Sequence, residues 1–351
     1  MKSMKALVFR APGDYHVEEV PFPKVQPNGL LIKVAACALC GSDLRTLRFG
    51  HRRVKPPWIL GHELSGTVAK LGRDYKGQLK VGDTLAVGPP VYCQKCEFCQ
   101  DGKYDLCENM REIAQDWPGG FAEYIAIPEE AIPLSLRRVP KGMNLIHAAV
   151  SEPVASCVNA QEKAAIGLGD VVVVIGSGPI GCIHTALAKV RGADKVFIAD
   201  AVEERLEVSK AFHPDQIINV TERDLIIEVM RLTFEKGADV IITANPAPET
   251  QVQAMEIAKK GGRILLFGGL PKGNSKPGID TNLIHYRGLH VIGSTSFSPR
   301  HHRFALQLIN DKKLPIESFI KKFKLSDFEK GARLALNGKI TKAIFIPDKL
   351  F

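Results

Sequence analysis

Residues 171–181, VVVVIGSGPIG, decide the fold. Four valines and an isoleucine form a run with no polar alternation, which suits a strand buried on both faces. The run enters Gly176, Gly178 and Gly181 and then PIGCIHTALAKVRGA (179–193), whose spacing is helical. A G-x-G-x-x-G triplet is weak alone, but between a buried strand and a helix it marks a turn built to hold a pyrophosphate. Gly176 permits the tight turn, Gly178 removes a side chain that would block the phosphates, and Gly181 lets the helix lie against the strand. The free N–H groups at the helix start face the anion, and Pro179 and Ile180 are counted with the glycines at this cofactor site.

Working outward, KVFIAD (195–200) is a second buried strand that ends on Asp200, 24 positions after Gly176. A carboxylate there accepts from both hydroxyls of an adenosine ribose and repels a 2′-phosphate, which favours NAD over NADP. Arg205, turned inward, would weaken that preference. Further strands are expected at 216–220, 238–245, 263–269 and 289–294, and helices at 152–164, 202–212, 221–237 and 248–262. This alternation predicts an α/β nucleotide-binding domain over 151–295, with a parallel sheet covered on both faces. Residues 1–150 read differently. KALVFR, GLLIKVAACAL, the glycine-broken GHELSGTVAKLG and VGDTLAVGP, and GGFAEYIAIP are short strands of a partly closed β domain with few helical signals. Residues 296–351 offer two helices and a closing strand, expected to rejoin the first domain.

Composition limits the function classes. The 351 residues are 45% hydrophobic and 24% charged, as in ordinary globular proteins. The net charge of +9 is scattered, and its small clusters, HRRVK (51–55) and IKKFKL (320–325), lie beside apolar residues. We read them as solvated faces, so no nucleic-acid partner is expected. Val171–Ala188 lacks Asp, Glu, Lys and Arg over eighteen residues, but its glycines, proline and histidine fit a strand, turn and helix rather than a membrane span. With no secretory signal, a cytoplasmic location is expected.

In a reducing compartment, clustered cysteines point to metal. Four of the eight cysteines, Cys93, Cys96, Cys99 and Cys107, fall within fifteen positions. Their spacing suits one closed tetrahedral zinc that holds a loop and leaves no position for substrate. An iron–sulfur cluster is the competing occupant. The neighbouring Glu97, Asp101, Asp105 and Glu108 argue against a phosphate-contacting zinc ribbon. A second set is dispersed: Cys40 in CALCGSDL, His62 and Glu63 in LGHELSG, and Glu152 in SEPVAS. Thiolate, imidazole and carboxylate are zinc donors, and three of them leave a position open. Spacing alone does not bring them together, and Cys37, three residues before Cys40, is a weaker candidate.

Together CGSD (40–43), GHE (61–63), VGD (81–83), the cysteine lobe, GGFAEY (119–124), EP (152–153) and GSGPIG (176–181) resemble the zinc-dependent medium-chain dehydrogenases, close to the sorbitol and threonine dehydrogenase branch. The resemblance covers nearly the whole chain. It implies a GroES-like catalytic domain, a Rossmann domain, two zincs per chain, NAD and a homodimer or homotetramer. Position by position, it makes Cys40 and His62 catalytic zinc ligands and Glu152 the acid that stands in place of a cysteine ligand in polyol-type members. Glu63 becomes a glutamate beside the metal, Ser42 the proton-relay hydroxyl, and the lobe cysteines the structural ligands. One departure stands out. Many relatives carry a relay histidine where this chain has Arg45, a poor proton acceptor at neutral pH. Water, a cofactor hydroxyl or another group remains open for that step, and His51 is expected to be simply exposed.

These parts imply an enzyme that takes hydride from a secondary alcohol of a polyol, cyclitol or sugar acid to NAD, giving a ketone. L-Threonine is the competing substrate, and an inactive zinc- and nucleotide-binding protein is the competing class. Arg45, Arg48, Arg52 and Arg53 are candidates to meet an anionic substrate or to serve only as surface.

Overall fold

A computed structural model describes residues 3–351. The chain forms two compact units. The first comprises residues 1–155, 297–311 and 319–351, and the second residues 156–296 and 312–318.

The second unit is organised by one six-stranded parallel sheet. Its spatial order is Gln216–Asn219, Lys195–Asp200, Val171–Ile175, Ala238–Thr243, Ala258–Leu266 and His290–Gly293. Alternation within the valine run fills two cores. Val172 and Val174 join Val196, Ile198, Val240 and Ile242 under Ala160, Ala164 and Ala188. Val173 and Ile175 join Phe197 and Ile241 on the opposite face, against Val229 and Met255. A sheet buried on both sides is what the unbroken apolar runs required.

Two helices are shorter than the sequence suggested. The helix expected over 221–237 is Leu225–Leu232, because Asp224 caps it by accepting from the Ile227 N–H at 3.0 Å. Phe234 and Glu235 then take positive φ, which ends it. The helix expected over 248–262 is Pro248–Glu256. The KKGG that follows belongs to the strand Ala258–Leu266, as an irregularity between the pairs Ala238↔Ala258 and Val240↔Arg263. The helix Thr281–Arg287 was not anticipated.

The first unit is built on a seven-stranded sheet. Its path runs Leu136–Arg138, Thr84–Val87, Glu63–Leu71, Leu30–Ala38, Lys342–Ile346, Ile320–Lys324, with Tyr124–Ile127 also pairing to Leu30–Ala38. The strand Lys342–Ile346 lies antiparallel beside Leu30–Ala38, Ile344 opposite Ala38. Ile320–Lys324, read from sequence as a solvated basic face, is a strand. It buries Phe323 and points Lys321 and Lys324 to water. The core centres on Phe121, Phe328 and Phe345, whose rings stand 4.4–5.7 Å apart. Burying each such ring contributes about 1.5–3 kcal/mol. Gly61, at φ +96°, turns the chain into His62, and a Cβ there would fall 2.7 Å from Cys37 Sγ and 2.8 Å from Phe121. Among the described residues, no helix is long and apolar enough to cross a membrane.

Candidate metal and nucleotide sites

Cys40 is the cap of an unanticipated helix, Gly41–Phe49. A reciprocal pair of bonds forms there: the Cys40 side chain accepts from the Asp43 N–H, and Asp43 Oδ2 accepts from the Cys40 N–H at 3.0 Å. The sulfur therefore sits at the N-terminal end of a helix, held by the first turn. Asp43 is buried, and its Oδ1 lies 3.3 Å from His62 Nδ1. Burial disfavours the imidazolium, but the charge and hydrogen bond of Asp43 outweigh it and hold His62 well above its usual range. The same contact fixes the ring and leaves Nε2 as the donor nitrogen. Sequence reasoning quoted Asp43 within CGSD but gave it no role.

Glu63 opens the strand Glu63–Leu71 and pairs with Ala38. Across the same central strand stands Lys342, two residues before Ile344. The two side chains meet in the interior, 0% and 4% exposed. Glu63 Oε1 accepts a hydrogen bond from Lys342 Nζ at 2.7 Å. Oε2 lies 2.5 Å from the same nitrogen but has no hydrogen-bond partner, although it is buried. Burial opposes the Lys342 ammonium, and Glu63 foremost among its neighbours outweighs it, so its pKa is raised. Lys342, far from Glu63 in sequence and outside any motif, left no signal that a single sequence could reveal.

Donor atoms of Cys40, His62 and Glu63 all lie within 4.8 Å of one another. Glu152, second residue of the helix Ser151–Lys163, is not in that set. Its carboxyl is pushed up to about 7 by burial and by Glu63, against the pull of His62 and Lys342, so it shares the same electrostatic neighbourhood. Cys37 is a core residue: burial pushes its thiol well up, with Asp43 and Glu63 adding to the shift. Ser42 is exposed on the first helical turn, as are Arg45 and His51 nearby. Arg53 is engaged with Glu112 at 2.6 Å and Asp116 at 3.3 Å. The donor set suits a divalent metal. It holds one cysteine sulfur, one oriented imidazole and a buried carboxylate oxygen without a hydrogen bond, and Lys342 balances the Glu63 charge.

The four lobe sulfurs also lie within 4.8 Å of one another, and none of them is in a disulfide. Backbone N–H groups point at them: Cys93 N donates to Cys107 Sγ at 3.3 Å and Cys96 N to Cys93 Sγ at 3.4 Å. The N–H groups of Lys95 and Cys96 bring the Cys93 thiol down to about 6. Burial pushes the Cys99 thiol up to about 12 and raises that of Cys107, so the fit to a closed tetrahedral metal site rests on the convergence of the four sulfurs.

In the second unit, Gly178 caps the twelve-residue helix Pro179–Val190, and a Cβ added to it would meet nothing within 4 Å. Gly176 has φ +110°, and a Cβ on Gly181 would fall 1.7 Å from the Gly176 carbonyl oxygen. Open backbone at a helix N-terminus fits a diphosphate. Asp200 is held at the strand end: Oδ2 accepts from Ser177 N at 2.6 Å and Oδ1 from Val202 N at 3.0 Å. Arg205 lies half-buried in the helix Glu203–Ser209.

Residues 26–136 match the alcohol dehydrogenase GroES-like domain, and residues 179–311 match the zinc-binding dehydrogenase domain. The chain is 32% identical to an L-threonine 3-dehydrogenase of Pyrococcus horikoshii, covering 98% of this chain and 99% of the relative. The chain belongs to the zinc-dependent medium-chain alcohol and polyol dehydrogenase family. A sorbitol dehydrogenase of Bacillus subtilis is 33% identical to this dehydrogenase over 79% of the chain and 78% of the relative. A crystal structure of a zinc-binding dehydrogenase from Sinorhizobium meliloti, bound to NADP, superposes with TM-score 0.90 at 29% identity, covering 99% and 100% of the two chains. This dehydrogenase is thus an alcohol dehydrogenase-type oxidoreductase with zinc and a nucleotide cofactor.

Proposed function

We propose that this dehydrogenase oxidises a secondary alcohol within a polyol, cyclitol or sugar acid to a ketone, with NAD as acceptor. The observation that carries this reading is the convergence of Cys40, His62 and Glu63, with Lys342 neutralising Glu63 and the acid Glu152 beside them. A carboxylate where other members use a thiolate goes with polyol-type substrates, and the sorbitol dehydrogenase relative supports the same class. L-Threonine is the second reading, supported by the full-length similarity to a threonine dehydrogenase. NAD rather than NADP is supported by the Asp200 carboxylate at the end of the second strand.

Cys40 and His62 are the residues that would hold the catalytic zinc, with Glu152 as their acidic partner and Glu63 as an adjacent carboxylate. Cys93, Cys96, Cys99 and Cys107 would hold the structural one. A zinc held there would supply Lewis acidity toward the alcohol, and a bound nicotinamide would supply the hydride acceptor. Asp43 keeps His62 in one orientation and one tautomer. Ser42, exposed on the first turn, takes the substrate proton and releases it to water, because the neighbouring Arg45 cannot accept it. The Gly176–Gly181 turn binds the diphosphate, and Asp200 the adenosine ribose.

A homodimer or homotetramer is supported by the strand His290–Gly293. It closes the six-stranded sheet with one edge unpaired and carries the exposed Val291. A cytoplasmic location is supported by the four-cysteine lobe, whose convergent sulfurs suit a metal site in a reducing compartment. The decisive experiment is a screen of NAD and NADP reduction across polyols, cyclitols, sugar acids and L-threonine, with metal analysis of the same sample. Two zincs per chain and turnover of a polyol-class substrate are expected. Cys40→Ser should lose one zinc and all turnover, and Cys96→Ser the other zinc and the yield of folded protein. Full activity in both variants would overturn the assignment of the two sites.

A further inference from the structure

Helix Pro299–Asn310 carries two buried histidines that the proposed chemistry does not use. One of them, His302, is 1% exposed. Its Nε2 lies 2.9 Å from Ser151 Oγ. Ser151 already donates its hydroxyl proton to the Ala148 carbonyl at 2.6 Å, so it can only accept from His302, and the ring must carry its proton on Nε2. Burial, with help from Arg137, brings the imidazole down to about 3, so it stays neutral. Nδ1 is left buried without a hydrogen-bond partner. Such a group persists only where its other contact or its packing is needed.

That other contact falls on the residue directly before Glu152. Ser151 and Glu152 form the first turn of the helix Ser151–Lys163, so fixing the Ser151 hydroxyl fixes the backbone that aims the Glu152 carboxylate. The histidine is itself anchored from the four-cysteine lobe. Tyr92, adjacent to Cys93, donates its hydroxyl to the Phe297 carbonyl at 2.6 Å. Ser298, the cap of the histidine's helix, donates to Asp105 at 3.3 Å, and Asp105 stands two residues before Cys107. A Cβ on Gly88 would lie 3.2 Å from His302 Nδ1, so the ring is also confined from that side. A continuous set of contacts within the first unit therefore runs from the lobe to the turn bearing Glu152.

We infer that His302 is a positioning residue for Glu152: through Ser151 it transmits the rigidity of the four-cysteine lobe to the acid of the catalytic metal site. This rests on the reading of Glu152 as an acidic partner of Cys40 and His62, and the test separates the two. Cobalt(II) is the probe. It is added to full-length protein that retains its lobe zinc, and binding at the Cys40 site is followed by visible absorption, with NADH binding as a control. Ser151→Ala and His302→Leu should each weaken cobalt binding about 10–100-fold, as loss of a ligand-orienting partner does elsewhere, and should shift the visible band. His302→Gln, which keeps a donor at the Nε2 position, should restore both. The double variant should be no worse than either single one. Glu152→Ala calibrates the site. If it leaves cobalt binding and the band unchanged, the Glu152 reading falls and this inference falls with it. If it impairs binding while Ser151→Ala and His302→Leu do not, the inference alone falls. It also falls if His302→Gln is as impaired as His302→Leu. Should His302→Leu fail to fold, the smaller Ser151→Ala change decides the matter.

Discussion

Lys342→Met leaves the Glu63 carboxylate in the interior without the ammonium it is hydrogen-bonded to. Glu63 is 0% exposed and Lys342 4%, so water cannot replace the ammonium without opening the sheet. Removing one member of a buried, hydrogen-bonded ion pair costs about 3–5 kcal/mol, most of it the penalty on the charge left behind. For a unit of this size each kcal/mol moves the melting temperature by about 2–4 °C, which gives a loss of roughly 6–20 °C for the variant. The measurement is a thermal melt in chelator, so that no added cation stands in for the lysine. The informative comparison is Glu63→Gln/Lys342→Met, which removes both charges and keeps both volumes. It should recover most of the lost stability, because the penalty belongs to the unpaired charge and not to the lost attraction. If Lys342→Met melts within about 2 °C of the parent, less than 1 kcal/mol is at stake. In that case, or if the double variant is as unstable as the single one, the electrostatic account of this pair is refuted.

Two further outcomes are expected. Asp200→Ala should raise KM for NAD and lower KM for NADP, since the carboxylate that would accept from the ribose hydroxyls also repels a 2′-phosphate; an unchanged cofactor ratio in steady-state kinetics would remove Asp200 from that role. Burial brings His184 in the second unit down to about 3, from an unfolded value near 6.5. Below pH 6.5 the unfolded chain binds a proton there that the folded chain refuses, so stability falls as pH drops from 6.5 towards 3. The contribution is about 1.4 kcal/mol per pH unit. Urea midpoints between pH 5 and 7.5 should show a shallower decline for His184→Leu, and an unchanged slope would contradict it.

The parallel sheet was legible because strands covered on both faces need no polar alternation. VVVVI and its neighbours therefore announce themselves, and the glycines after them can serve only a few geometries. Helix ends were less legible. Leu225–Leu232 stops where Phe234 and Glu235 turn left-handed, and nothing in those two residue types signals it. The helix Gly41–Phe49 was missed because its cap is a cysteine, outside the usual Ser, Thr, Asp and Asn set, although Asp43 at its third position supplied half of a capping pair. The family resemblance of CGSD and GHE named Cys40, His62 and Glu63, but Lys342 belongs to a strand that finds Leu30–Ala38 only through tertiary folding. The run IKKFKL was read by its lysines, whereas Phe323 packed against Phe345 determines where it lies.

The strand Lys342–Ile346 also has a consequence for how the chain is made. Residues 156–296 can assemble their sheet as they leave the ribosome, almost without help from elsewhere in the polypeptide. The preceding unit cannot. Its central sheet stays open beside Leu30–Ala38, and Glu63 lacks its Lys342 partner, until a segment translated nearly three hundred residues later arrives. The order in which the two units can be completed thus runs against the order of synthesis, since the earlier-born unit needs the later-made strand.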